Sequence, residues 1–285
     1  DNGPQIKDFI FAMPYDRERQ QGMTYSRFWI HRSAQKQFGN LPQSVGGNFR
    51  CLPGFLDKFN LPGDERNASY IGGKQFYWAN YAPTSNPLLI NTSKRGIDQD
   101  YNGTDADVKF DWQLEFAKDI TLRPNGDATL DVGNDQKGRS MGYRSIKFYM
   151  DVNVTAAQNR NQSNDVPIFR YADVLLMKAE AILRGATPTN GETAMSLMNQ
   201  VRSYVNAPLI SSQPSLDELL EERAREFADE SWRRNDLIRY GKFENNWGFR
   251  NLYAGGFSQT YRRIFPLPTT VMNVNTNWKQ NNGYL

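Results

Sequence analysis

Cysteine is nearly missing from this chain: Cys51 stands alone among 285 residues. A single thiol forms no internal disulfide and cannot build a cysteine-based zinc site. Histidine is equally scarce, and His31 as the only imidazole argues against a His-dependent triad or metal cluster. Long apolar runs are also lacking. Around the helical segments the longest is Val174–Met177, far short of the length a membrane-spanning helix needs. Nor does one sign of charge dominate: 34 basic residues face 31 acidic ones, for a net charge of +3. That balance argues against a nucleic-acid partner.

Aromatic residues are what the chain has in quantity: 17 Phe, 14 Tyr and 6 Trp, accompanied by many Asn and Gln. Flat apolar rings among hydrogen-bonding amides suit a surface that stacks on a ligand, although core packing accounts for most of them. The length allows a sizeable core in one large domain or two.

The organising stretch runs from residue 166 to residue 241 and reads as three helices joined by short polar breaks. Ile168, Ala172, Leu175, Leu176, Ala179 and Leu183 fall at helical spacing and predict one core-facing stripe. The opposite face carries Arg170, Asp173, Glu180 and Arg184, with Glu180 four residues before Arg184, where an ion pair can form. Gly185 and Pro188 stop this helix. A second helix gathers Ala194, Leu197, Met198, Val201 and Val205. A third opens at Ser215 with Glu218 three positions on, a capping box. Its charged series, Glu222, Arg223, Glu226, Glu230, Arg233, Asp236 and Arg239, places an arginine near every acid. Carboxylates held ionised in this way are poor general acids, so an ion-pair network pinning helices is expected there.

The wording PIFRYADVLLMKAEA, MNQVR, ERAREFADESWRRNDLIRYGK and FPLPTTVMNVNTNWKQNNGY, four blocks in order between Pro167 and Tyr284, resembles the carboxy-terminal half of the SusD/RagB family. Upstream, DFIFAMPYD and PGFLDKFNLPGDERNASY look like that family's looser central blocks. One departure is Arg234–Asn235, where the family often has aromatic residues before the Asp-Leu pair. The resemblance implies a mainly helical, tetratricopeptide-like scaffold with a large irregular, loop-rich face and short strands. Three segments are expected: residues 1–165 loop-rich and ligand-facing, 166–245 the helical scaffold, and 246–285 an irregular tail. Phe265, Leu267, Trp278 and Tyr284 are expected to pin that tail to the scaffold.

Within the loop-rich segment, FIFAM reads as a buried strand, and residues 111–133 as a hairpin around Pro124–Asp127. Residues 137–151 read as a strand. KQFYWANYAP sets Phe76, Tyr77, Trp78 and Tyr81 beside a Gly/Pro-rich loop, where exposed ring faces could meet the apolar C–H faces of a pyranose. Tyr77, Trp78 and Tyr81 are the candidate stacking rings, with Phe49 and Trp29 behind them. Asp98, Asp100, Asn102 and Gly103 match positions 1, 3, 5 and 6 of a calcium loop, but Lys109 stands where the bidentate acid belongs. Calcium is therefore a weak candidate; no other cofactor is expected.

The resemblance implies non-catalytic binding of a glycan at the bacterial outer surface and its delivery to a SusC-like TonB-dependent transporter. It also implies a longer lipoprotein of the outer membrane, anchored through a cysteine outside this chain, with an amino-terminal half as a further partner. The alternative is a RagB-like importer subunit that captures peptides. A glycoside hydrolase would need two unpaired carboxylates, and Asp111 and Glu115 are the only acids of the loop region that offer themselves.

Overall fold

The structure is a computed structural model and describes residues 7–19, 22–39, 46–123, 130–155, 158, 161–252 and 259–284. Its longer strands are β1 (Phe9–Met13), β2 (Phe76–Ala79), β3 (Ala82–Pro87), β4 (Leu89–Ser93), β5 (Lys109–Gln113) and β6 (Val166–Arg170). They pair only two at a time, β1 with β6, β2 with β3, and β4 with β5, always antiparallel. The longer helices follow: α1 (Tyr171–Leu183), α2 (Ala194–Tyr204), α3 (Leu216–Glu226) and α4 (Arg233–Arg239). A helical scaffold thus carries an irregular face built from short strands and turns.

Residues 166–170 correct the reading of the first helix. Val166, Ile168 and Phe169 are β-formers, and β1 supplies the ladder, so the segment holding Ile168 is a strand. Helix α1 begins only at Tyr171. Arg170 at its N-cap makes no side-chain capping bond. The missing acceptor comes from Asp8, whose carbonyl accepts from Tyr171 N at 2.7 Å and whose carboxylate accepts from Ala172 N at 3.2 Å. Strand β1 exists as expected but is not buried: Ile10, Phe11 and Met13 are exposed.

The scaffold core follows the apolar spacing. Ala172, Leu175, Leu176 and Ala179 of α1 meet Ala194, Leu197, Met198 and Val201 of α2, closed by Leu219 and Phe227. Capping boxes open α2 (Thr193–Ser196) and α3 (Ser215–Glu218). Helix α3 does not continue into α4: Asp229 and Ser231 both take positive φ, at 63° and 66°, and turn the chain between them.

The acidic residues of α1, Asp173 and Glu180, lie inside the protein. Arg223 is buried, donating to Asp173 at 2.8 Å and to Asp236 at 3.0 Å. Glu180 accepts from Arg184 at 2.9 Å, as the spacing predicts, and from Arg239 at 2.9 Å. Glu222 gathers Arg66, Arg202 and Arg225 within 2.8 Å. Burial alone would raise the Glu222 carboxyl; these guanidinium groups outweigh it and hold the group below its ordinary value. Glu230 takes Arg170 at 2.8 Å and Lys147 at 2.5 Å. The network expected along α3 is therefore present, and through Arg66 and Lys147 it also ties the loop-rich face to the helices. What α1 shows to solvent is apolar instead: Tyr171, Val174 and Met177.

Two smaller cores lie under the loop-rich face. Ile30, Phe38, Leu88, Ile90, Leu114, Phe116 and Met150 form one, and Trp29, Cys51, Phe59, Tyr70 and Ala228 the other. The strand expected over 137–151 shrinks to Arg144–Ser145 after a short helix, Gln136–Arg139. Gly142, at φ 76° with a Cβ position only 2.8 Å from the Arg50 side chain, breaks the run. The turn expected at Pro124–Asp127 lies outside the described residues. Beside it, Arg123 N donates to Asp131 O at 2.6 Å.

Of the four expected pins, Phe265 and Trp278 are exposed and Leu267 and Tyr284 half-buried, and Phe265 is gripped from the scaffold. Arg234 does the holding. It donates to the carbonyls of Arg262 and Arg263 at 2.7 and 3.0 Å, and its guanidinium lies over Phe265, 4.2 Å from the ring centroid. A cation thus grips this tail at the position where the resemblance expects an aromatic residue.

Candidate functional site

The hairpin of β2 and β3 closes through Asn80 and Tyr81, both at positive φ, 50° and 64°. A two-residue turn of this kind matches the right-handed strand twist. Asn is at home in the first position, whereas the second usually takes glycine. A tyrosine there costs roughly 1–2 kcal/mol of backbone strain. The result is an aromatic ring at the hairpin tip, 71% exposed.

The Tyr81 ring meets Tyr149 at 4.8 Å between centroids. Tyr149 in turn lies 6.0 Å from Trp78 and 5.4 Å from Phe38, and Trp78 lies 5.7 Å from Phe38. The hairpin is anchored from below: Trp78 N donates to Gln37 O at 2.7 Å, and the Gln37 amide donates to Gln75 Oε1 at 2.9 Å. Asn164 donates to the Tyr149 carbonyl at 3.0 Å and fixes that backbone too. Burial, then the neighbouring Tyr81 phenol, raises the Tyr149 pKa, so its hydroxyl stays protonated and can donate.

Phe148, one residue earlier, carries the rings onward. It meets Tyr25 edge-on at 5.8 Å, Tyr25 meets Phe49 at 5.4 Å, and Phe49 meets Phe28 at 5.3 Å. Trp29 stands behind Phe49 at 5.6 Å and is itself buried. Two groups of partly exposed rings, Tyr81–Tyr149–Trp78 and Tyr25–Phe49–Phe28, are thus joined through adjacent residues. Tyr77 packs half-buried against the core and has no ring partner among the described residues. The structure brings Trp78 and Tyr81 together, places Phe49 and Trp29 in the second group, and adds Tyr149, Phe148, Phe38, Tyr25 and Phe28.

Behind Tyr25 and Trp29 opens a cavity of about 920 Å³, walled by Phe55, Phe243 and Trp247 with Arg233 and Lys58. Asp229 lines it, and burial raises that carboxyl above its ordinary value. Burial, followed by Asp229, pushes the Tyr25 phenol up to about 12.

The acidic candidates are engaged by the chain itself. Asp98 accepts from Lys137 at 2.8 Å, which lowers its pKa, and Arg123 approaches both Asp98 and Asp100. Asn102 is exposed at the same turn, and among the described residues no three His, Cys, Asp or Glu side chains gather as a metal site. Asp111 on β5 accepts from Asn91 across the strand pair at 3.0 Å, and Glu115 is exposed.

The helical scaffold with its irregular, ring-bearing face is an architecture shared with a known family. The model of the SusD family matches residues 7–284, and the chain belongs to that family. It is 36% identical over 124 residues to the starch-binding protein SusD of Bacteroides thetaiotaomicron, a segment covering 42% of this chain and 22% of that protein. In fold it is similar to a laminarin-binding SusD-like protein, with a TM-score of 0.59 and 20% identity, covering 99% of this chain and 51% of that one. It is also similar to surface glycan-binding protein A from Bacteroides thetaiotaomicron in complex with laminarihexaose, with a TM-score of 0.52 and 18% identity over 96% of this chain and 52% of that one. The chain spans about half the length of these solved relatives.

Proposed function

We propose that this chain is part of an outer-membrane surface protein that binds a glycan without cleaving it and passes it to a SusC-like TonB-dependent transporter. The observation that carries this reading is the strained, exposed Tyr81 ring in contact with Tyr149, which in turn meets Trp78. Ring faces of this kind accept the apolar face of a sugar, while Asn80 and the Tyr149 hydroxyl stand ready for its hydroxyl groups. The relatives add weight, since the names of three of them contain starch, laminarin or glycan. Rings rather than an open run of backbone donors favour a glycan over the peptide alternative. The buried acids of α3 and α4, Glu222, Glu226 and Asp236, are each paired with arginine, which favours binding over hydrolysis. An amino-terminal half would complete the protein and cover the outward apolar stripe of Tyr171, Val174 and Met177 on α1.

Affinity electrophoresis of the full-length protein in gels containing single polysaccharides tests this reading. Retardation by at least one polysaccharide, with the polymer left uncut, is the expected result. A folded protein that no polysaccharide slows would overturn it.

A further inference from the structure

Beyond the Phe28–Phe49 end of the ring series lies a separate pocket of about 440 Å³. His31, Arg50, Arg139 and Arg32 line it, with Asp131 as the single acid. His31 is 1% exposed. Its Nδ1 accepts from Ser33 N at 3.1 Å, which leaves the ring proton on Nε2, and Nε2 is a buried donor without a partner. The Arg50 Nε is likewise buried and unpartnered, although Nη1 of that side chain donates to Gly138 O at 3.2 Å. Behind His31 sits Arg144, almost wholly buried, with its guanidinium over Phe116 and its own Nε unsatisfied. Among the described residues none of Arg32, Arg50, Arg139 and Arg144 forms an ion pair.

Four other buried arginines, Arg66, Arg170, Arg202 and Arg223, are matched with acids. Arg144, buried to the same degree, has no such partner among the described residues. Burial, then Arg144, Arg139 and Arg50, depresses the His31 pKa to about 3, and burial, then Arg50, lowers Arg144 to about 9. Among the described residues several arginines crowd around one acid, Asp131, beside donors without acceptors, and this describes a site short of negative charge.

We propose that this pocket receives an anionic oxygen group of the ligand, a carboxylate or a sulfate, which accepts from His31 Nε2 and Arg50 and is paired by Arg139 and Arg32. The inference rests on the glycan reading for the carrier of that group, which would then be a uronic-acid or sulfated glycan. Phe49 and Arg50 are neighbours in sequence, so one ligand could cover a ring of the series and reach the pocket.

His31 makes the test specific, because a protein region with a single histidine gives one imidazole signal from this pocket. Nitrogen-15 NMR of the full-length protein, with any other histidine assigned by substitution, would be followed during titration with sodium glucuronate, sodium sulfate and glucose. Saturable shifts of the His31 signal with glucuronate alone, or with sulfate alone, support the proposal and name the source. Shifts with both anions support a general oxyanion site. Arg139→Gln should then weaken the apparent affinity about tenfold, and Arg50→Gln should act in the same direction while the amide spectrum stays that of the folded protein. An unmoved His31 signal with both anions, an equal response to glucose, or unchanged affinity in both variants would overturn it. Since these probes are single sugars and ions, the outcome stands apart from retardation by a neutral polysaccharide.

Discussion

Arg223→Ala is expected to remove about 3–5 kcal/mol of stability. The guanidinium is wholly enclosed, holds Asp173 at 2.8 Å and Asp236 at 3.0 Å, and lies 4.8 Å from the Phe227 ring centroid. Its removal leaves Asp173 with no ion-pair partner among the described residues, and one Asp173 oxygen already lacks a hydrogen bond. Asp236 keeps Arg239 at 2.9 Å. The loss therefore comes mainly from an uncompensated buried carboxylate and not from the pair's own attraction. A control separates the two contributions. Arg263→Ala breaks the more exposed, solvent-screened pair with Glu244 and should leave the unfolding midpoint nearly unchanged. Urea unfolding of the full-length protein measures both, and a loss below about 1 kcal/mol for Arg223→Ala would show that the network does not hold the helices together.

Tyr81→Gly should reduce glycan affinity by about tenfold or more, the scale of an anchoring aromatic residue, while stability stays within about 1 kcal/mol of the parent. Glycine relieves the left-handed strain at φ 64°. Against that stands the loss of one ring contact with Tyr149, worth roughly 0.5–1.5 kcal/mol. A residue that merely shapes the turn would give the opposite pattern, with affinity kept once glycine fits the turn. Isothermal titration with an oligosaccharide of the polymer that retards the protein, together with thermal melts of both proteins, separates the two outcomes. Equal affinity in parent and variant would remove Tyr81 from the site.

Much of the scaffold could be read before the structure. The apolar spacing located α2, most of α1 and the core between them, and the Ser215–Glu218 box marked the start of α3 to the residue. What escaped was everything decided at long range. Val166–Arg170 became a strand because its partner lies at residues 9–13, and α1 takes its cap from Asp8. The charged face of α1 turned inward because Asp173 and Glu180 meet arginines 50 and 59 residues further on. A periodicity argument assumes that charge faces water; it fails where the partner comes from another helix. The exposed FIFAM strand and the apolar stripe of α1 follow from the same inversion.

The ring site was half legible. Trp78 and Tyr81 stood out because they cluster within a few residues beside a Gly/Pro-rich loop, whereas the turn at Asn80 that presents them emerged only in the structure. Tyr149 and Phe148 lay in a segment that reads as a plain strand, and no local signal brings them to a hairpin some seventy residues earlier. The two glycines, Gly138 and Gly142, are the sequence signal against a straight strand here.

The most direct measurement is a crystal structure of the full-length protein with a bound oligosaccharide from the polysaccharide that retards it. This account predicts a sugar ring lying flat on Tyr81 or Trp78, with Tyr149 in contact. An oligosaccharide bound elsewhere, with these three rings free in solvent, would contradict it.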